Sequence, residues 1–349
     1  MTWNPAFFTR LTDFVATAGK YGVVVELSLF GGYESAHEFI WAVCPFNPNN
    51  HIQNMSGELN RTNVYTLSAP HGITAIQIAT ATELAKHTKD FDNVYFQIIS
   101  RGDDADLEWG RKVADAIHSV DPDRLIAQPS VWPPLPQCQI TNFDSSASPI
   151  DVYNATFNSP TRPGPLAYDE SGDVYHSVEA YRQSYWRWVL SGGGVVDNLD
   201  WSFFVKGYEN GTLPTEDLKE ALNSGEHART TLSILNQFII QHVDFVHMRP
   251  DFEAKYVSVV SGNDTATQGL VYLTAGGAQV VRYAGLIAVP QQDKLSLQLR
   301  DPCGLASCNV DYVDTSSGAL ISGAKAVEQC TGDVDVPEYD GDIAFFVTC

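Results

Sequence analysis

The hydrophobic pattern of the chain changes its period near residue 250. Up to that point, continuous apolar runs alternate with stretches at helical spacing. "VVVELSLF" (Val23 to Phe30), "NVYFQIIS", "RLIAQPS", "QITNFDS", "GPLAYDESGD" and "NLDWSFF" read as strands. Runs that are apolar on both faces are what a covered parallel sheet selects. Between them lie helical segments. Asn4 caps the first, Pro5 suits its first position, and Phe7, Phe8, Leu11, Phe14, Val15 and Ala18 share one face. Further helices are expected from about Thr74 to His87 and over "DLEWGRKVADAIHSV", where Trp109, Val113, Ile117 and Val120 recur at helical spacing. "SVEAYRQSYWRWVLSGG" and "EHARTTLSILNQFIIQHVDF" complete the set.

Strands that alternate with helices predict an α/β architecture with parallel strands. Polar and aromatic residues gather at the C-terminal strand ends: Gly31 to Tyr33, Arg101 to Asp104, Asp144, Asp169, Glu170 and Trp201. In a (β/α)8 barrel that end is the functional face. An open doubly wound sheet is the competing geometry, but it usually carries a glycine-rich phosphate turn after its first strand. "LFGGYES" is too weak a match to such a turn.

After Pro250 the segments are short and alternate with period two: "KYVSVVS", "GLVYLTA", "QVVRYAG", "LSLQLRD", "CNVDYVDTSSGALIS" and "DIAFFVTC". They predict a small antiparallel β-sandwich. The chain is therefore divided into residues 1–249, an α/β domain, and 250–349, a β-module.

Composition narrows the partners. Acidic residues outnumber basic ones 42 to 21 over 349 residues. Such a surface repels phosphate backbones and anionic lipid, so neither nucleic acid nor membrane is expected as a partner. No apolar run is long enough to span a bilayer. The nine histidines are scattered without ligand spacing, so no metal and no cofactor is expected. N-x-S/T sequons occur at Asn54, Asn60, Asn154, Asn210 and Asn263. Cys303, Cys308, Cys330 and Cys349 all fall in the β-module, which suggests disulfides and an oxidising compartment. The pairs expected are Cys303 with Cys308 and Cys330 with Cys349. Cys44 and Cys138 either pair or remain buried thiols. "MTWNPAFFTRL" has no basic leader followed by an apolar core, so an extracellular protein whose leader lies outside this chain is the expectation. The sequence leaves the oligomeric state open.

"WNPAFFTRLTDFVATAGKYGVVVELSLF", "FDNVYF", "RLIAQ", "PLAYDESGD", "YRQSYWRWVLSGGGVVDNLDWSF" and "ILNQFIIQHVDFVHMRPD" resemble the cellulase-like retaining (β/α)8 glycoside hydrolases, above all members with a trailing β-sandwich. The resemblance covers nearly the whole chain. It implies a TIM-type barrel apparently truncated to six strands, because the helix before "GVVVELSLF" matches the second of eight. It also implies a carbohydrate ligand and hydrolysis of a β-linked polysaccharide or oligosaccharide. An open sheet of this kind should expose an apolar edge.

The chemistry implied uses two carboxyl groups about 5 to 5.5 Å apart, one attacking the sugar carbon and one protonating the departing oxygen. Glu170 in "AYDESGD" sits where the family has its nucleophile. The acid should be the Glu of an Asn-Glu pair, but Ser100 and Arg101 occupy those places. An arginine stays protonated and is no proton shuttle. At that position it is expected to pair with Glu170. Asp103 and Asp104, just past the strand, are the candidate substitutes, although first-turn acidic residues of a helix explain them as well. In "TNFDSS", Asp144 and Ser145 replace a His and an aromatic, a second loss on the same face. Trp41, Trp132 and Trp201 are candidate sugar platforms, and Trp186 and Trp188 are expected in the core. Two readings follow: a glycoside hydrolase acting on a β-linked polysaccharide or its oligosaccharides, which the lineage supports, or a non-catalytic relative that binds carbohydrate or merely persists as a gene fragment, which Arg101 supports.

Overall fold

The computed structural model describes residues 2–50, 59–143, 149–158, 164–171, 178–198, 225–243, 248–250, 255–258, 265–267, 271–274, 281–288, 294–298, 307–321, 327–328 and 331–348. The elements run α1 (Pro5–Lys20), β1 (Val25–Ser28), α2 (Glu38–Trp41), α3 (Ile73–Thr88), β2 (Val94–Gln97), α4 (Leu107–His118), β3 (Ile126–Pro129), β4 (Ile140–Phe143), α5 (Pro149–Tyr153), β5 (Leu166–Ser171), α6 (Val178–Leu190), β6 (Val195–Asn198) and α7 (Gly225–His242). Then come β7 (Met248–Pro250), β8 (Lys255–Ser258), β9 (Thr265–Thr267), β10 (Val271–Thr274), β11 (Val281–Ile287), β12 (Lys294–Gln298), β13 (Ser307–Asp314), β14 (Leu320–Ile321), β15 (Val327–Glu328), β16 (Thr331–Asp335) and β17 (Ile343–Thr348).

The first six strands form one sheet in the order β1-β2-β3-β4-β5-β6. Pairing is parallel between β1 and β2, β2 and β3, β3 and β4, and β5 and β6. Strand order follows the sequence without a reversal. That is barrel winding, since a doubly wound sheet reverses at its ligand-binding switch point. The later strands pair antiparallel, in a seven-stranded sheet β14-β13-β17-β11-β10-β7, with β15 on β13, and a four-stranded sheet β16-β12-β8-β9. This is the expected fold class, six parallel barrel strands followed by an antiparallel β-module. The chain divides into two compact units, Met1–Asp144 with Pro160–Pro165, and Ser145–Ser159 with Leu166–Cys349. The expected division between 249 and 250 falls inside β7, the first strand to pair antiparallel.

In the first unit the cap on α1 forms as its sequence predicts: Asn4 Oδ1 accepts from the Ala6 N–H at 3.1 Å, and Pro5 starts the helix. Its buried face is narrower than expected. Phe8 and Val15 are buried, whereas Phe7 and Phe14 are exposed. Val15 packs with Val25 of β1 and Val94 of β2, so α1 lies over those two strands. Leu27, Phe96 and Ile126 join the main core with Ile73, Ala81, Trp109, Val113 and Ile117 of α3 and α4. Trp109 is fully buried, and its indole N–H donates to Gln77 Oε1 at 2.8 Å. Arg124 closes the end of α3. Its guanidinium donates to the carbonyls of Thr88, Lys89, Phe91 and Val94 and is held by Asp121 at 2.7 Å. These carbonyls include ones the helix leaves unpaired.

In the second unit, α6 is clasped to the start of β17. Arg182 donates to Asp342 from Nη2 at 2.7 Å and from Nε at 3.1 Å, and both residues are buried. Trp186 and Trp188 are buried as expected. Trp186 meets Phe238 of α7 edge-on at 4.8 Å, and His242 stacks on Phe346 at 4.0 Å. Each of the six segments read as β after residue 250 contains a strand.

Candidate functional site

The register of the first sheet decides which side chains share its inner face. Glu26 is level with Tyr95, Ser28 with Gln97, Gln97 with Ala127, and Pro129 with Asn142. Alternate residues point the same way, so Glu26, Tyr95, Gln97, Ala127 and Asn142 line the face opposite the helices. Tyr95 donates its hydroxyl to Glu26 Oε2, and Asn142 Nδ2 donates to Glu26 Oε1 at 2.7 Å. β2 and β3 lie between β1 and β4, so this bond requires a strongly curled sheet with Glu26 on its concave side. Both carboxylate oxygens of this half-buried residue have donors. Asn142 Oδ1 is buried with no partner, leaving one acceptor on the floor of the concavity.

The rim is built where β1 and β2 leave the sheet. The carbonyls of Phe30 and Gly31 accept from the N–H groups of Ser100 and Arg101, each at 3.0 Å. Gly32 has φ +82°, and a Cβ there would sit 1.9 Å from the Arg101 carbonyl oxygen, so only glycine fits. Tyr33 then places its ring under the Arg101 guanidinium, 5.4 Å from ring centre to Cζ. Arg101 Nε donates to Asp103 Oδ2 at 3.0 Å, with the two side chains 40% and 51% exposed. Gly102 is fixed from behind, since its carbonyl accepts from Trp132 Nε1 at 2.8 Å. A Cβ on Gly102 would lie 2.7 Å from that nitrogen.

Beneath the rim, Glu34 folds back so that its Oε1 lies 3.2 Å from where a Gly31 Cβ would be. Its carboxylate is buried against the Tyr65 hydroxyl and the Cys44 thiol. Burial pushes the Cys44 thiol up to about 11 and raises the Tyr65 hydroxyl well above its ordinary value, with the charge on Glu34 adding to both. Glu34 Oε2 has no hydrogen-bond partner. Among the described residues, no group of three or more His, Cys, Asp and Glu side chains is arranged to hold a metal ion.

No protein-family model matches the chain, and no curated protein does. Solved structures do match. A glycoside hydrolase family 5 protein from Bacteroides vulgatus superposes with a TM-score of 0.58 at 14% identity, covering 79% of this chain and 67% of that one. A second, described as a glycoside hydrolase, gives 0.57 at 12% identity and covers 98% of this chain and 89% of that one. The chain has the fold of the cellulase-like glycoside hydrolases. At these identities the likeness is one of fold.

Within the glycoside hydrolase fold, the first unit brings Arg101 and Asp103 together at the rim. Asp104 is exposed beside them. Trp132 and Trp41 are both in the core cluster, which corrects their reading as open sugar platforms. Trp132 faces Gly102 and Gly110, where an added Cβ would strike its ring. The aromatic ring at this rim that sequence reading did not single out is Tyr33. Glu170 lies in β5, and its side chain is outside the described residues, as are Asp144 and Trp201. The expected Glu170–Arg101 pair is therefore not among the described contacts. Cys303, Cys330 and Cys349 lie outside the described residues too, as does the side chain of Cys308. Cys44 and Cys138 are free thiols. Glu26, Tyr95, Gln97 and Asn142 were missed. The signal for them was a polar residue in the middle of each otherwise apolar strand, which a barrel interior tolerates and a dry core does not.

Proposed function

We propose that the protein is a glycoside hydrolase by descent that binds a β-linked oligosaccharide at its C-terminal strand ends. Glu170 is assigned as the retaining nucleophile, and β2 ends without a general acid. The observation that carries this reading is Arg101 at the end of β2, seated on Tyr33 and paired with Asp103. A guanidinium does not give up its proton at working pH, so leaving-group protonation at this position is lost. That step is typically worth about 10² to 10⁴-fold in rate. The lost rate matters least where the leaving group departs unaided.

The test compares substrates. An aryl glycoside with a good leaving group should be turned over slowly, polysaccharide should resist, and Glu170→Gln should abolish the residual activity. Arg101→Glu with Ser100→Asn should raise it. Robust polysaccharide hydrolysis lost equally in Asp103→Asn or Asp104→Asn would overturn the reading and make a rim aspartate the acid. The second reading, carbohydrate binding without turnover, is favoured by the pairing of Asp103 with Arg101, which occupies one candidate acid. It predicts saturable oligosaccharide binding by calorimetry with no cleavage of any aryl glycoside.

The proposal includes an extracellular setting. Asn60 and Asn154 are exposed sequon residues, and N-glycan at either site after expression through a secretory pathway would be read as a mass loss on deglycosylation. Unmodified asparagine at both would count against it.

A further inference from the structure

The ion pair at the rim does not secure its own geometry. Arg101 and Asp103 are both largely exposed, and a pair of that kind contributes little to holding its partners in place. Gly102 stands between them and is the most permissive joint a chain can have. The loop is fixed by contacts from other elements. At its start the Arg101 N–H donates to the Gly31 carbonyl at 3.0 Å. At its finish the Asp106 N–H donates to the Tyr65 carbonyl at 3.0 Å. At the joint itself, the Gly102 carbonyl accepts from Trp132 Nε1 at 2.8 Å.

Trp132 is in turn delivered to one place by β3. Its backbone N–H donates to the Pro129 carbonyl at 3.2 Å, and its carbonyl accepts from Gln128 Nε2 at 3.3 Å. Gln128 is 2% exposed and braces the loop that follows: Nε2 also donates to the Pro133 carbonyl at 3.2 Å, and Oε1 accepts from the Leu135 N–H at 2.7 Å. The indole ring lies against Gly102 and Gly110, where an added Cβ would strike it. Packing explains why the ring is buried. It does not require the ring's one polar group to close on the carbonyl between Arg101 and Asp103.

We propose that Trp132 is the positioning residue of the rim. Its indole N–H fixes Gly102, and through Gly102 the relative placement of Arg101 and Asp103, which sets how the end of β2 meets its ligand. A site is held to its working geometry by supporting groups locked in their own packing, and Trp132 on its Gln128 brace is such a group. The inference rests on the carbohydrate-site reading only for the nature of the ligand.

Nitrogen-15 NMR of the full chain reads the positioning without a ligand. The Arg101 Nε–H, assigned by its loss in Arg101→Lys, donates to Asp103 beside the Tyr33 ring, so its resonance reports on both neighbours. Trp132→Phe should move that resonance and leave the Trp109 indole N–H, which is bonded to Gln77, in place. Replacing Trp132 by β-(3-benzothienyl)alanine through stop-codon suppression keeps the ring shape and removes only the N–H. It should give the same shift, and it decides the matter if Trp132→Phe fails to fold. With 4-nitrophenyl β-glycosides as probes, both variants should raise KM about two- to tenfold, the scale of losing one ordered side chain, with kcat little changed. An unmoved Arg101 resonance in the benzothienyl variant would overturn the proposal, and so would a moved resonance at unchanged KM. If the unaltered chain neither binds nor cleaves any of these glycosides, the carbohydrate reading fails, and the Arg101 resonance alone decides whether Trp132 positions the rim.

Discussion

Two arginine–aspartate pairs show how the same chemistry diverges with burial. Arg182 and Asp342 meet at 2.7 Å with side chains 7% and 0% exposed, and Thr315 and Gln183 also donate to the aspartate. Arg101 and Asp103 meet at 3.0 Å with both side chains largely open to water. Water does not reach the first pair, so its partners are all protein groups. That pair holds α6 to the start of β17. The second pair costs little to break. A polar pair is therefore locked where burial removes its alternatives and exchangeable where solvent leaves them.

The largest effect expected is Arg182→Met. It leaves Asp342 buried with its charge uncompensated, which typically costs about 3–5 kcal/mol. Chemical denaturation measures the loss, and the double change Arg182→Met with Asp342→Leu should recover much of it. Equal losses in the single and double variants would show that the clasp is more than a charge pair. Next comes the network on the concave face. Asn142→Ala removes one donor to the half-buried Glu26 and should cost about 1.5–3 kcal/mol, the range of a hydrogen bond to a charged group. Arg101→Ala should change stability by less than about 1 kcal/mol, as exposed pairs do. It should nevertheless change ligand binding or aryl-glycoside turnover. A large stability loss with unchanged binding would erase the contrast between the two pairs.

The smallest effect concerns the thiols, where burial again decides reactivity. Cys44 is pushed up to about 11 and Cys138 to about 12, both chiefly by burial. The folded values lie above the ordinary 9.0, so the folded state favours the protonated thiol. The associated stability is fully present below about pH 9 and is lost as pH rises through about 11 for Cys44. At pH 8 both thiols should alkylate much more slowly in the native protein than in denaturant. Equal rates in the two states would show that these sites open freely.

Much of the fold was legible because it rests on local rules. Apolar runs such as Val23 to Phe30 and Val94 to Ile99 specify strands covered on both faces. The cap at Asn4 and Pro5 fixes where α1 begins. Period-two segments after Pro250 specify antiparallel strands. The candidate site was legible in part: the strand ends at Gly31 and Arg101 were found, while the roles of Trp41 and Trp132 were not. A tryptophan's sequence neighbours do not say which glycine its ring will cover. Here Gly102 and Gly110 make the space that buries Trp132.

What the sequence alone determined, then, is the set of elements and their parallel or antiparallel class. These follow from periodicity and residue chemistry, which act over a few neighbouring positions. Tertiary structure decided the rest. Curling the sheet brought Asn142 of β4 to Glu26 of β1, 116 positions away in the chain. Helical periodicity put Phe7, Phe8, Leu11, Phe14, Val15 and Ala18 on one broad face, but only the placement of α3 and the sheet determined that Phe8 and Val15 are covered while Phe7 and Phe14 are left in water. Periodicity specifies which side chains share a face. How much of that face is buried depends on neighbours brought from elsewhere in the chain.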